Sequence, residues 1–552
     1  MYITRPTRTS KNGKTYETVL LRESFREDGK VKNRTLANFT HCKPEEIRAI
    51  ELALRHKNDL STLVSVNESV ELEEGLSVGA VWTVCQTAKR LGIEKALGAD
   101  RAGQLALWQV IARVLEQGSR LSAARLAQTH AGCDVLGISR GFDEEDLYRN
   151  LAWLTEQQPR IETALFRHSH SGKKPDLFLY DVTSSYLEGE QNALADYGYN
   201  RDGKKGKKQI VIGLLTDGEG EPLSVEVFQG NTGDVTTLQN QIQKVSRRFG
   251  CERATFVGDR GMIKSAQMEA LSQEKFHYIT AIAKPQIQTL LKQGVLQMEL
   301  FDEDVCEVEQ DGVRYVLRRN PRRAEEMALT RNSKQTRIET LIQNRNEFLQ
   351  ERPRAKAETA RQTVEEKIKR FGIQSWMQVE IQEGKLVLLM DEAARKDAAL
   401  LDGCYVLKTG LPTETACTQT VHDRYKDLAE VEQGFRTCKT SHLEIRPVYV
   451  RTEESTRGHV LVVMLAYKIV RELQRAWQPF NLTVEEGIHQ LSTLCSTVVK
   501  FKDGGTCQKI PKPREQSQQL LEALNIRLPE ALPHRNVKVV TRRTLPSRRK
   551  TD

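Results

Sequence analysis

The sequence predicts an α/β protein built from several folding units, and three observations carry that prediction. Short apolar strands alternate with helical stretches between about residues 170 and 290. A second strand-bearing stretch, divided by a long charged helix, follows between about 290 and 410. A small hairpin and then a run of helices precede both. At 552 residues the chain exceeds what one core accommodates, so three or four units are expected. Hydrophobic content of 39% and charged content of 28% describe a folded chain and exclude a disordered one. The net charge of +9 is modest for this length, so its distribution decides whether a polyanion is the partner.

Taken in order, residues 1–60 read as a small β unit. Tyr16 to Phe25 and Val31 to Phe39 flank Asp28-Gly29, a two-residue hairpin signal. Residues 76–170 read as helices, with Leu105, Leu107, Val110, Ile111 and Val114 at helical spacing. The texture changes at Gly172-Lys173-Lys174-Pro175. A strand, Leu177 to Tyr180, is expected to end at Asp181, and a basic loop carrying Lys204, Lys205, Lys207 and Lys208 follows. Next come a hairpin from Gln209 to Phe228, a helix, a strand Ala254 to Gly258 ending at Asp259, and a strand at His277 to Ala283.

Strand, hairpin, helix, strand, helix, strand is the order of a ribonuclease-H-like sheet, in which the first and fourth strands lie side by side and parallel. By that analogy Asp181 and Asp259 become neighbours. Residues 171–290 are thus the first part of a core, 291–410 an inserted β-rich and helical subdomain, 411–480 the second part of the core, and 481–552 a basic C-terminal region with a mobile end at Arg542, Arg543, Arg548, Arg549 and Lys550.

Other classes are disfavoured. The start is polar and carries no secretory core segment. The longest apolar run, His459 to Val470, is too short to span a bilayer and contains Lys468, so it reads as a buried helix. The ten cysteines form no CxxC pair, which argues against a zinc module and for free thiols in a reducing cytoplasm.

Three acids from separate elements are candidates to meet. Asp181 and Asp259 each follow an apolar strand; taken singly, each also reads as an ordinary helix cap. Glu432 lies in a predicted helix from Tyr425 to Lys439. Heptad spacing drifts only about 20° per repeat, so Tyr425, Glu432 and Lys439 share a stripe flanked by Leu428 and Phe435, an inward face. A Glu432–Lys439 contact or a solvated face is the alternative for that segment. Asp427 and Glu430 fall off the stripe and read as solvated.

The strings Tyr180-Asp181-Val182-Thr183, Gly258-Asp259-Arg260-Gly261-Met262 and Tyr425…Glu432…Lys439 resemble the DDE transposases of bacterial insertion sequences, in the group with a Tyr-x2-Arg-x3-Glu-x6-Lys signature and a β-rich insertion. Gly230-Asn231-Thr232-Gly233-Asp234, Arg446-Pro447-Val448-Tyr449 and the N-terminal hairpin support the same resemblance. It implies a ribonuclease-H-like catalytic core, with Asp181, Asp259 and Glu432 binding two Mg²⁺ ions for which Mn²⁺ can substitute. It also implies end cleavage and strand transfer on double-stranded DNA, helices at 76–170 that bind DNA, a homodimer on paired ends, and a cytoplasmic, nucleoid-associated bacterial location. Tyr425, Lys439, Arg436 and the four loop lysines are expected to touch DNA phosphates. Trp376 is a candidate platform for a flipped base, against ordinary packing, and His459 a candidate neighbour of the acids, against ordinary packing. The signature Arg falls on Leu428, with Arg424 and Arg436 as possible substitutes. Two other readings use the same residues: a nuclease that cuts without joining, and a DNA-binding regulator derived from a transposase. Intact acids favour the enzyme.

Overall fold

A computed structural model describes residues 1–58, 70–189, 191–352, 354–440, 442–501 and 504–543. The chain forms two compact units: Met1–Gly75 with Cys495–Pro511 and Pro529–Leu532, and Leu76–Leu494 with Lys512–Leu528 and Pro533–Asp552.

In the smaller unit, Tyr2–Thr4, Leu20–Glu27 and Lys30–Asn38 form an antiparallel sheet. Asp28 and Gly29 turn the hairpin with φ of 51° and 74°. Positive φ at both central positions is what a tight two-residue hairpin needs, and Asp-Gly supplies it at little cost. Cys495–Phe501 and Thr506–Lys509, expected within a separate C-terminal region, pair with each other here.

The larger unit is organised around an eight-stranded mixed sheet. Its strands are β1 (Leu177–Tyr186), β2 (Gln209–Asp217), β3 (Pro222–Phe228), β4 (Thr255–Gly258), β5 (His277–Ala281), β6 (Cys306–Gln310), β7 (Val313–Arg319) and β8 (Cys404–Thr409). Across the sheet they run β6-β7-β8-β5-β4-β1-β2-β3. β1 and β4 are parallel neighbours, with Leu179 beside Val257, as the sequence predicts. Two features differ from expectation. β1 continues five residues beyond Asp181, because Val182, Thr183 and the two serines that follow keep pairing with β2 out to Tyr186. And β6, β7 and β8 come from the stretch expected to be an insertion, yet they extend this same sheet.

The segment that stands apart from the sheet is narrower: helices Pro321–Glu351 and Ala357–Phe371 with the hairpin Met377–Gln382 and Lys385–Met390. It closes on its own core of Ile338, Val364, Ile368, Trp376 and Met377.

Six helices bear on the site: α1 (Arg101–Leu115), α2 (Arg120–Thr129), α3 (Glu144–Ser169), α4 (Thr418–Lys426), α5 (Leu428–Cys438) and α6 (Glu453–Trp477). α6 contains the apolar run predicted as a buried helix, and it packs against α1, α3 and β3. Lys468 is accommodated in it by an ion pair to Glu221 and a 2.9 Å bond to the Pro222 carbonyl. A buried ammonium is tolerable only when paired and hydrogen-bonded in this way. No helix among the described residues is long and apolar enough to cross a membrane. Nor is the C-terminal end loose throughout. The backbone N–H groups of Arg542 and Arg543 donate to Glu144 at 2.7–3.0 Å, and Arg542 pairs with Asp143 at 2.5 Å. Arg548, Arg549 and Lys550 lie outside the described residues.

Candidate active site

Sheet register and one helix bring the three acids into one electrostatic neighbourhood. With Val257 beside Leu179 on parallel strands, two further residues on each strand reach Asp259 and Asp181. Asp181 lies mid-strand, opposite Leu214 of β2. Asp259 tops a turn just past β4, where its carbonyl accepts from the Met262 N–H at 2.9 Å and its Oδ1 from the Arg260 N–H at 2.7 Å. Neither aspartate caps a helix; the next one starts at Ser265 with Lys264 at its N-cap.

The predicted helix over 425–439 is two helices, α4 and α5, joined at Asp427. α5 buries Leu428, Val431, Phe435 and Cys438, a stripe at helical spacing that faces the sheet. Gly434 permits the close approach: a Cβ there would lie 3.1 Å from Tyr467 Oη and 3.3 Å from Leu214 Cδ2. Since Leu214 is Asp181's cross-strand partner, α5 lies against the part of the sheet that carries Asp181. Glu432, expected on the inward face, is instead exposed, because the buried stripe runs through Val431 and Phe435 beside it.

The stripe residues have distinct partners. Tyr425 donates to Asp259 Oδ1 at 3.4 Å. Lys439 pairs with Asp202 at 2.6 Å, and not with Glu432. Asp202 also accepts the Tyr186 N–H at 3.3 Å, which ties the basic loop to the end of β1. Leu428 is buried, Arg424 is half-buried, and Arg436 is exposed with no hydrogen bond or ion pair among the described residues.

Electrostatics tie the acids together. Burial pushes the Asp181 carboxyl up to about 6; Asp259 and Glu432 push the same way, while the Val182 N–H and Arg201 oppose them. Burial likewise raises the Tyr425 phenol, with Asp259 and Glu432 adding to it. Arg201 is already engaged by Asp234 at 2.6 Å, so it neutralises Asp181 only in part. This pair was missed at the sequence level although Asp234 ends the string Gly230 to Asp234. Only the fold places Asp234 Oδ2 3.6 Å from where a Cβ on Gly261 would be, beside the Asp259 turn.

Two further expectations resolve toward packing. Trp376 is 3% exposed inside the helical segment's core, with Arg395 over its ring. His459 lies among Arg113, Arg120 and Glu444, and is absent from the groups acting on Asp181. Of the loop lysines, Lys204, Lys205 and Lys207 are exposed. Lys204 lies over the Tyr186 ring, Lys208 over Tyr197 and Arg201 over Tyr199. Tyr197 and Tyr199 are 61% and 82% exposed. Basic residues interleaved with exposed rings suit a nucleic acid backbone and its bases; the run Tyr197-Gly198-Tyr199 was the readable signal for them.

Residues 172–469, more than half of the chain, match the family described as the transposase DDE domain. The chain belongs to the DDE transposase family. Residues 3–65 match the N-terminal domain of IS1634 family transposases, so this is a transposase of an insertion sequence, an enzyme of polynucleotidyl transfer that acts on DNA. No relative is found among curated proteins. Among solved structures, a piggyBac transposase synaptic complex with hairpin DNA is similar at 8% identity, over 76% of this chain and 69% of that one, with a TM-score of 0.34, too loose a likeness to bear on this site. The sheet of this transposase has the strand order β3-β2-β1-β4-β5 that the sequence predicts, with β8, β7 and β6 added beyond β5.

Transposases of this family use divalent metal ions. Among the described residues, no three His, Cys, Asp or Glu side chains stand close enough to enclose an ion. The donor chemistry nonetheless fits. Asp181 is a hard carboxylate whose negative charge is opposed by burial and by two further carboxylates, and Arg201, which offsets it, is shared with Asp234. A hard divalent cation removes that imbalance.

Proposed function

We propose that Asp181, Asp259 and Glu432 are the catalytic carboxylates of this transposase, that they hold two Mg²⁺ ions with Mn²⁺ as a substitute, and that they serve both end cleavage and strand transfer. The observation that carries this reading is the placement of the three mounts: β1 and β4 are parallel neighbours with Leu179 beside Val257, and α5 packs at Gly434 against Leu214, the cross-strand partner of Asp181. Asp259 and Glu432, 78 and 251 residues further along the chain, add to the burial that raises the Asp181 carboxyl. When bound, such ions stabilise the negative charge that grows on the attacking and leaving oxygens of a phosphodiester.

The chain's own residues do the rest. Asp181 on the sheet, Asp259 on its turn and Glu432 on α5 are three rigid mounts. Tyr425 donates to Asp259 and so orients that carboxylate. Exposed Glu432 and Asp259 leave one side of the site open to a DNA strand. The exposed Lys204, Lys205 and Lys207, with Lys208 beside Tyr197, are proposed to follow the backbone of that strand. Arg436 is proposed to stand in for the phosphate-binding Arg that Leu428 replaces, since it is exposed and unpaired among the described residues. Lys439 reaches a phosphate only by sharing or releasing Asp202. The family resemblance further supports a homodimer on paired DNA ends, working at the bacterial nucleoid.

The test uses labelled element ends and a supercoiled target. Glu432→Gln is expected to retain DNA binding in a gel shift while losing both cleavage and joining. Undiminished cleavage in that variant would sink the assignment. Cleavage without joining by the wild type would reduce the enzyme to a nuclease.

A further inference from the structure

Away from the acids, α1, α2, α6 and the segment ending at Val450 surround a small cavity whose lining includes Arg113, Arg120, Glu444 and His459, together with Tyr148 and Tyr449. Its volume is about 10 Å³, room for one particle about the size of a water. Arg113 and Arg120 are each 4% exposed. Neither has a carboxylate within ion-pair distance among the described residues. Arg113 donates to the Gly118 carbonyl at 2.7 Å and Arg120 to Gln109 Oε1 at 2.7 Å, both neutral acceptors. Burial drags both guanidiniums below their usual range, to about 10 and about 9.

Two atoms in this lining have no hydrogen-bond partner: Arg113 Nε and His459 Nε2. Glu444 is committed to Arg446, whose Nε it accepts at 2.5 Å, and Arg446 also holds Glu188 at 2.8 Å. Within this lining Arg113 and Arg120 therefore meet only neutral hydrogen-bond acceptors, while Glu444 is held by Arg446, so the cavity carries an excess of positive charge. The N-terminus of α2, with Ser119 as its cap, opens on the same cavity and adds its dipole. An unbalanced buried charge is strongly unfavourable unless something compensates it.

We propose that this cavity binds one small monovalent anion, of the size and charge of chloride, against Arg113 and Arg120. Its size disfavours sulfate or phosphate, and the excess of positive charge calls for an anion. His459, kept neutral by burial and the two arginines, adds no charge of its own to the cavity. The site locks α1 and α2 to α6 and is independent of the acid cluster.

The test compares the full-length protein in sodium chloride and in sodium gluconate at equal ionic strength. Chloride is expected to raise Tm by roughly 2 °C or more, as a ligand of the folded state does. The rise should vanish in Arg120→Met and in Arg113→Met. Because either variant could fold poorly, crystals of the wild type soaked in sodium bromide give a second readout: an anomalous peak in the cavity supports the proposal. A Tm that follows ionic strength whatever the anion, a cavity holding only water, or stabilisation by inorganic phosphate in place of chloride overturns it.

Discussion

Around Asp181 the transposase gathers negative charge at a face open to solvent, while around Arg113 and Arg120 it gathers positive charge in the interior. In both places burial works against the charged form, and in both the nearest opposite charge is committed elsewhere: Arg201 to Asp234, Glu444 to Arg446. They differ in access. Asp259 and Glu432 are exposed, which leaves the region we propose as catalytic reachable by cations and by a DNA strand. The arginine cavity admits only something small. Charge imbalance at an open face can serve turnover; the same imbalance in a closed space calls for a resident partner.

The largest expected effect tests the open side of this contrast. Asp181→Asn, Asp259→Asn and Glu432→Gln should each lower cleavage by at least about 10²–10³-fold with DNA affinity preserved, the scale typical of removing preorganised electrostatic stabilisation. A variant that keeps wild-type cleavage rates would remove its residue from the site.

Next in size is the exposed basic loop, whose charge is screened by salt where the buried clusters are not. Replacing Lys204, Lys205 and Lys207 together with Gln should weaken DNA binding about tenfold or more near 0.1 M salt. It should also make the slope of log affinity against log salt shallower by about 2–3. An unchanged slope would take the loop off the DNA path.

The third effect has the opposite sign from most active-site substitutions. The Asp181 carboxyl titrates near 6 in the folded chain against 3.8 for an unperturbed aspartate. The folded state thus holds that proton more tightly, and stability falls as pH rises from about 3.8 to about 6. Above that window Asp181→Asn should stabilise the metal-free protein by about 1–3 kcal/mol; near pH 4 the gain should shrink toward zero. Manganese should stabilise the wild type and not the variant. Melting curves at pH 4.5 and pH 8, with and without the ion, read all three. Equal gains at both pH values would mean that the ionised carboxylate is not the cause.

The smallest effect lies outside both clusters. Trp376→Phe should cost roughly 1–2 kcal/mol of packing in the helical segment and leave strand transfer within about twofold. A specific loss of transfer at unchanged stability would restore Trp376 as a contact to an extruded base.

Much of this organisation could be read along the chain. Alternating apolar strands and turn residues marked β1, β2, β3 and β4, and an acid after an apolar strand marked Asp181 and Asp259, because those signals are local. Heptad spacing singled out Glu432 as inward-facing, but the helix divides at Asp427 and Glu432 is exposed, so the spacing did not settle its environment.

What the chain could not reveal depends on partners far away in sequence. That β6, β7 and β8 join the catalytic sheet follows from pairing with β5, which no periodicity encodes. That Lys439 holds Asp202 while Tyr425 holds Asp259 depends on where a loop returns after more than 160 residues. That Trp376 and His459 are buried, and that two arginines share a cavity without a carboxylate, is settled by which surfaces pack together. Local spacing specifies elements and faces. Burial, and with it the state of every charge, is a property of the assembled whole.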